Sequence, residues 1–334
     1  MNRSIIKGLG YYVPENIVTN KDLSSLMDTD DQWIQERTGI KERRWIKNDE
    51  DNTTSMGVKA SLNAIEDAKI DKNDIDFIIF ATLSPDYYFP GPGVSVQKEL
   101  ELDNIGALDV RNQCSGFVYA ISVADQFIKT GMYKNILVIG SEYQSGGLDT
   151  TTRGRGVSVI FGDGAGAAIV CASDEQDKGI LSTHLHSQGA HAKELALLGP
   201  STSHWVHKLI KDNDPEDISY YPYMNGNFVF KQAVTRFPQV ISEALEQNGY
   251  QAKDIDLLIP HQANLRIAQF VQRSMGLNED QVFNNISKYG NTTAASIPIA
   301  MAEAKQQGKI KDGDLICLAA FGSGFTWASA LIRW

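Results

Sequence analysis

Two stretches of this chain echo two others at nearly the same spacing, and that repeat constrains the fold more than any single motif. Asp74-Ile75-Asp76 precedes the apolar run FIIF, and 180 residues on, Asp254-Ile255-Asp256 precedes LLIP. Further along, CSGFVYAISVADQFIKTGMYKN from Cys114 lies over NTTAASIPIAMAEAKQQGKIKD from Asn291, an offset of 177 residues. That register sets Gly131 over Gly308 and Lys134 over Lys311. Strand–helix units look alike by chance, so either echo alone carries little. Two in the same order point to a duplicated supersecondary framework. The polar run SDEQDKG at 173–179 falls between the copies, which suggests halves at 1–175 and 176–334. Cys114 and Asn291 then take equivalent places, each near the start of a helix, and a pseudo-twofold axis would bring those starts together.

The rest of the chain fits an α/β reading. Buried strands are expected at 77–82, 135–141, 166–172, 257–261 and 315–321. Helices are expected at 55–69, 115–130, 229–248, 263–275 and 294–307, and the alternation of the two is the α/β pattern. A length of 334 residues leaves ample material for two cores. Three cysteines make no disulfide framework, so a reducing, cytoplasmic location is expected. No window approaches 18 apolar residues, so no membrane span is expected, and the start MNRSIIKGLGYYVPEN lacks the apolar core of a signal peptide. A net charge of −10 argues against general nucleic-acid binding, which needs a basic surface.

Cys114 is the first candidate for chemistry. The segment after it, 115–130, is apolar on most sides and ends at Gly131, as a buried helix would. A cysteine at such a helix start feels the positive end of the macrodipole, which favours thiolate. The competing reading is packing, since free cysteine is often buried. Cys171 and Cys317 lie within apolar strands and read as packing residues. His261, in LLIPHQANLRI, follows a buried strand, where sites gather in open sheets. Asn291, in YGNTTAAS, is either a helix cap or a donor amide. His184, His186, His191, His204 and His207 crowd one segment without matching cysteines or acids, so they read as a polar surface excursion rather than a metal site. FGDGAGAAIV leads into a strand rather than a helix, which argues against dinucleotide binding. AFGSGFTWAS follows a strand and could turn backbone N–H groups toward an oxyanion.

Taken together, these residues resemble the β-ketoacyl-[acyl carrier protein] synthase III family of the thiolase superfamily. The likeness rests on DVRNQCSGF, PHQANLRI and YGNTTAAS, joined in the same order by DQWIQERTGIKERR, FGDGAGA, MNGNFVFKQAV and FGSGFTWASALIRW. It covers essentially the whole chain. It implies a five-layer α-β-α-β-α fold of two duplicated halves, usually as a homodimer. It implies that Cys114 takes an acyl group from a coenzyme A thioester. His261 and Asn291 would then support decarboxylation of malonyl-carrier protein, and the carbanion would attack the acyl-cysteine. The amides of Cys114 and Ser323 would form an oxyanion hole. Trp33, Arg37, Arg155 and Asn264 match coenzyme A contacts, Arg266 a contact for the acyl carrier protein, and Phe89 a residue reaching the partner subunit's acyl pocket. Coenzyme A enters as substrate, with no metal or other cofactor. The sequence departs from the family pattern at Arg111, Asn112 and Gln113, where small residues are usual, and at Ser323, where glycine is typical. The stretch 184–223 is longer than usual and is expected near the cofactor entrance or acyl pocket. Two other readings compete: an acyltransferase or thioester hydrolase without carbon–carbon bond formation, and a catalytically silent partner subunit. The presence of Cys114, His261 and Asn291 together favours condensation.

Overall fold

The computed structural model describes residues 3–47, 51–199, 201 and 218–334. The strands in chain order are β1 (Arg3–Tyr12), β2 (Ile17–Thr19), β3 (Glu42–Arg44), β4 (Phe77–Ala81), β5 (Gly106–Val110), β6 (Asn135–Glu142), β7 (Gly164–Ser173), β8 (Gly179–Ser187), β9 (Leu195–Ala196), β10 (Tyr223–Met224), β11 (Leu257–Pro260), β12 (Leu315–Gly322) and β13 (Thr326–Arg333). The helices are α1 (Asn20–Ser24), α2 (Asp31–Thr38), α3 (Thr53–Ala68), α4 (Pro92–Glu99), α5 (Gly116–Lys129), α6 (Arg155–Ser158), α7 (Gly226–Gln247), α8 (Leu265–Met275), α9 (Ile286–Tyr289) and α10 (Ser296–Gln306).

The repeat is written in strand order. One sheet runs β1-β7-β6-β4-β5 and the other β8-β13-β12-β11. Both begin with two antiparallel pairings and continue with a parallel one, β6 on β4 and β12 on β11. Where the first sheet adds β5, the second has a parallel bridge between Leu258 and Val282. The Asp-Ile-Asp echo has a physical cause. Asp74 and Asp254 each accept the N–H that opens the turn before the strand, from Asp71 and Gln251. Asp76 and Asp256 each accept the first N–H of the neighbouring strand, from Asn135 and Leu315.

Alternating side chains divide each sheet between two cores, as the period of two requires. Ile79, Ala81 and Val138 face Phe117 and Ile121 of α5, with Ile297 and Met301 of α10, in the central core. From the other sheet, Ile259, Leu318 and Ala330 enter the same core. The opposite face of the first sheet packs Ile78, Phe80 and Leu137 on α3 and α4. The opposite face of the second packs Leu258, Cys317 and Phe321 on α7 and α8. The layers are therefore helix, sheet, helix, sheet, helix, with the two repeated helices buried in the middle. Each fully buried Ile, Val or Phe there contributes about 1.5–3 kcal/mol.

Two expectations need correction. Gly131 and Gly308 do end the repeated helices in equivalent left-handed turns, with φ of 76° and 67°. The starts follow a different register. Gln113 and Thr293 are both left-handed, at φ 42° and 51°, each three residues before its helix. The equivalent of Cys114 is thus Ala294, and Asn291 lies upstream, because α10 has 11 residues where α5 has 14. The histidines are the second correction. His184 and His186 belong to β8 rather than to a surface excursion, and both bind Glu243 of α7. His204 and His207 lie outside the described residues.

Candidate active site

The chain leaves β5 at Val110 and turns through Gln113–Ser115 into α5, which carries Cys114 to the helix start. The left-handed Gln113 makes that turn sharp, a conformation a side-chain-bearing residue adopts at a cost. Arg111, two residues earlier, is exposed and reaches the Leu83 carbonyl at 3.4 Å. Two glycines admit the neighbours of the thiol. A Cβ on Gly116 would stand 3.2 Å from Ala81 Cβ and 3.5 Å from Ala294 Cβ, so the two helix starts meet there. A Cβ on Gly322 would stand 2.7 Å from Cys114 Sγ, so only glycine lets the turn after β12 pass beside the sulfur.

That turn carries Ser323. Its N–H and that of Cys114 both donate toward Sγ. Among the described residues, the non-glycine positions with positive φ are Lys69, Glu101, Gln113 and Thr293, so Ser323 donates from an ordinary backbone. Its hydroxyl is used elsewhere, donating to the Leu195 carbonyl at 2.5 Å. Thr326 Oγ1 donates to the Ser323 carbonyl at 3.2 Å, and Ser115 Oγ to the Thr326 carbonyl at 3.1 Å. Turn and helix start are thereby locked together.

Burial pushes the Cys114 thiol up to about 12, the Glu142 carboxylate adds to the rise, and the two amides oppose it. The helix start was expected to lower it; desolvation of the charged form is the larger effect here. Glu142 ends β6 and is itself fully buried, and burial raises it to about 7 against hydrogen bonds from Ser84, Leu83, Thr82 and Ala294.

Asn291 precedes the second turn. Its backbone is pinned by Asn291 N–H to the Ile160 carbonyl at 2.9 Å and by Gly162 N–H to its own carbonyl at 3.1 Å. Its side-chain oxygen accepts the Thr293 N–H at 2.9 Å. A backbone N–H must meet the oxygen, so the amide nitrogen is the end turned away, with its hydrogens to give. Thr293 is held in turn by Gln144, whose Nε2 donates to its Oγ1 at 2.9 Å.

His261 follows β11, its N–H donating to the Ala319 carbonyl of β12 at 2.8 Å. Its Nδ1 lies 2.6 Å from Ser296 Oγ, the first residue of α10. Its Nε2 is buried and finds no partner among the described residues. Burial drives the imidazole down to about 3, so the ring is neutral at physiological pH. Ser296, Thr293, Gln144 and Glu142 were not singled out from the sequence. The one available signal was a Glu closing an otherwise apolar strand, NILVIGSE.

A second group of expected residues assembles at the surface. Asp30 caps α2 by accepting the Trp33 N–H at 2.7 Å. Arg37 lies one turn on, its guanidinium 4.4 Å from the Trp33 ring centre, and Arg155 lies 5.3 Å from the same ring. Asn264 caps α8 and donates to the Arg37 carbonyl at 2.8 Å, so its side chain ties the two helices. Arg266 is exposed on the first turn of α8 and lies 5.7 Å over the Phe230 ring. Phe89 stands apart from both groups in the single chain, 74% exposed beside exposed Tyr87 and Tyr88. Among the described residues, no group of three His, Cys, Asp or Glu side chains is placed to hold a metal. None of the described helices is long and apolar enough to cross a membrane.

A duplicated five-layer framework of helices and sheets is the architecture of thiolase-like condensing acyltransferases, and this chain is one of them. Residues 108–189 match the family profile of 3-oxoacyl-[acyl-carrier-protein] synthase III, and residues 245–334 match that of its C-terminal region. The β-ketoacyl-[acyl-carrier-protein] synthase III of Aliivibrio fischeri is 45% identical over 99% of both chains. That of Oceanobacillus iheyensis is 43% identical over 100% of this chain and 99% of its own. The crystal structure of 3-oxoacyl-[acyl-carrier-protein] synthase III from Aquifex aeolicus superposes over 100% of both chains with a TM-score of 0.90 and 40% identity. The chain belongs to the β-ketoacyl-[acyl carrier protein] synthase III family.

Proposed function

We propose that this enzyme takes an acyl group from acyl-coenzyme A onto Cys114 and condenses it with malonyl-[acyl carrier protein]. The observation that carries the reading is the pairing of donors. Asn291 Oδ1 accepts the Thr293 N–H, which leaves its amide hydrogens to give, and neutral His261 pairs Nδ1 with Ser296 Oγ, which leaves buried Nε2 without a partner among the described residues.

In the first step Cys114 sulfur attacks the thioester carbon, coenzyme A sulfur leaves, and the thiol proton passes to it. The amides of Cys114 and Ser323 take the oxyanion charge. Donors aimed at developing charge contribute about 3–4 kcal/mol each. In the second step the malonyl carboxylate departs as carbon dioxide, and its electron pair becomes an enolate held by Asn291 and His261. The enolate carbon attacks the acyl-cysteine, the thiolate leaves, and a proton from water restores it. A covalent intermediate divides one hard transfer into two easier ones.

Trp33, Arg37 and Arg155 would hold the nucleotide end of coenzyme A, a stacking face with two cations around it. Asn264 would position Arg37 and line the entry, and Arg266 would meet the acidic carrier protein. Coenzyme A is substrate here, and the reading calls on no metal or prosthetic group. The exposed edge strand β5, with exposed Leu108 and the Tyr87–Phe89 patch, supports a homodimer in which Phe89 reaches the partner's acyl pocket. The ends of β7 at Ser173 and β8 at Gly179 support halves at 1–175 and 176–334. Cysteine usage supports a cytoplasmic location.

The test supplies purified enzyme, malonyl-carrier protein and a panel of acyl-coenzyme A primers, with mass spectrometry of the products. The expected result is 3-ketoacyl-carrier protein with at least one primer and none from Cys114→Ala. Undiminished product from that variant overturns the reading.

A further inference from the structure

Ser296 sits where a hydroxyl proton has one destination. Its Oγ is 2.6 Å from His261 Nδ1 and accepts the Gln262 N–H at 3.4 Å. Among the described residues, these are the hydrogen-bond partners of that hydroxyl, and His261 Nδ1 is the one able to accept. If Nδ1 carried the ring proton, the buried Ser296 O–H would have no acceptor and Nε2 would have no donor, two unmet groups instead of one. If Ser296 donates to Nδ1, that contact is satisfied at both ends and the ring proton moves to Nε2, whose N–H is the one group left to find an acceptor. That atom is buried and without a partner among the described residues, where a substrate oxygen can accept from it.

We propose that Ser296 is a positioning residue that fixes His261 as the Nε2–H tautomer, so that the ring presents a donor rather than a lone pair to the substrate. This rests on the reading of His261 as an enolate-stabilising donor. The partner of the other ring nitrogen decides which nitrogen of a histidine is protonated. Because Ser296 opens α10, the buried helix that follows the Asn291 turn, the same element sets both donors. The hydroxyl touches the histidine and not the acyl-cysteine, so its loss falls on the decarboxylative step.

The experiment uses full-length enzyme labelled with ring-15N histidine, with the His261→Ala spectrum to assign the resonance. In wild type the His261 signal is expected to show Nε2 protonated and Nδ1 bare. Ser296→Ala is expected to populate the Nδ1–H form and lower condensation about tenfold or more, given the cost of a wrong tautomer elsewhere. Acyl-Cys114 formation, followed by intact mass, is expected to change far less and reports that the variant is folded. Ser296→Thr keeps the hydroxyl and is expected to restore tautomer and rate. Unaltered tautomer and rate in Ser296→Ala overturn the proposal while leaving the role of His261 standing, whereas a wild-type Nδ1–H signal overturns it together with the reading of His261 as a donor. Undiminished condensation by His261→Ala instead overturns the parent reading.

Discussion

Thr293 N–H donates to Asn291 Oδ1 across 2.9 Å, from a residue held at φ 51°. The strained turn and the oriented amide are one device: the backbone spends a left-handed residue to face the Asn291 oxygen inward to its own chain. Asn291→Asp puts an anionic acceptor where a donor is needed. Condensation is expected to fall about 10²–10³-fold, the loss typical of one oxyanion donor. The variant is still expected to form acyl-Cys114, and equal losses in both half-reactions would contradict the assignment.

Cys114 is a reluctant thiolate. With the thiol pushed up to about 12 by burial and then by Glu142, alkylation by iodoacetamide is expected to rise steadily through pH 9–10 with no plateau. Glu142→Gln removes the carboxylate's share and is expected to speed Cys114 alkylation several-fold at pH 8–9. Peptide mapping separates it from Cys171 and Cys317, also buried. A plateau near pH 7, or no effect of Glu142→Gln, would contradict the electrostatics.

Stability should respond to acid through two opposed groups. His261 falls from 6.5 to about 3 on burial, so between those values only the unfolded chain takes up its proton, and stability is lost as pH falls. Glu142 rises from 4.5 to about 7, so the folded state binds that proton first, and stability is gained as pH falls from 7 to 4.5. Each contributes a slope of about 1.4 kcal/mol per pH unit where it acts. Thermal unfolding at pH 6.5 and 4.5 is expected to show Glu142→Gln losing more stability on acidification than wild type. His261→Asn is expected to lose less. Parallel curves for all three would contradict the burial argument.

Much of the framework was legible in the sequence because buried strands and left-handed helix ends leave local marks. The Asp74 and Asp254 caps, Gly131 and Gly308, and the apolar runs of β4, β6, β11 and β12 all announce themselves. β8 and β13 do not, since His184, His186 and Ser329 interrupt their apolar pattern; Glu243 and the Val240 carbonyl supply partners only in the fold. The register of Cys114 was misplaced for a similar reason. A left-handed Gln113 or Thr293 has no sequence signature comparable to a left-handed glycine, so the equivalence with Ala294 emerges only from the backbone. Asn291 and His261 sit in motifs that single them out as candidates, whereas Ser296 and Gln144 make side-chain contacts with residues 35 and 149 positions away in the chain.

Trp33 faces two guanidinium groups, Arg37 at 4.4 Å and Arg155 at 5.3 Å. Trp33→Ala is expected to raise KM for the coenzyme A thioester about five- to 150-fold, the range of a base–aromatic stacking contact of about 1–3 kcal/mol. kcat is expected to hold, since the loss is of uniform binding. A fall in kcat at unchanged KM would move Trp33 out of the binding site.

The most direct test of the whole account is a single-turnover chase. Enzyme is acylated with an acyl-coenzyme A primer, freed of excess donor, and mixed with malonyl-carrier protein while intact mass follows Cys114. The account predicts that the adduct disappears with matching appearance of one 3-ketoacyl-carrier protein and one carbon dioxide per site. Release of free acid, or an adduct that persists beside intact malonyl-carrier protein, would contradict it.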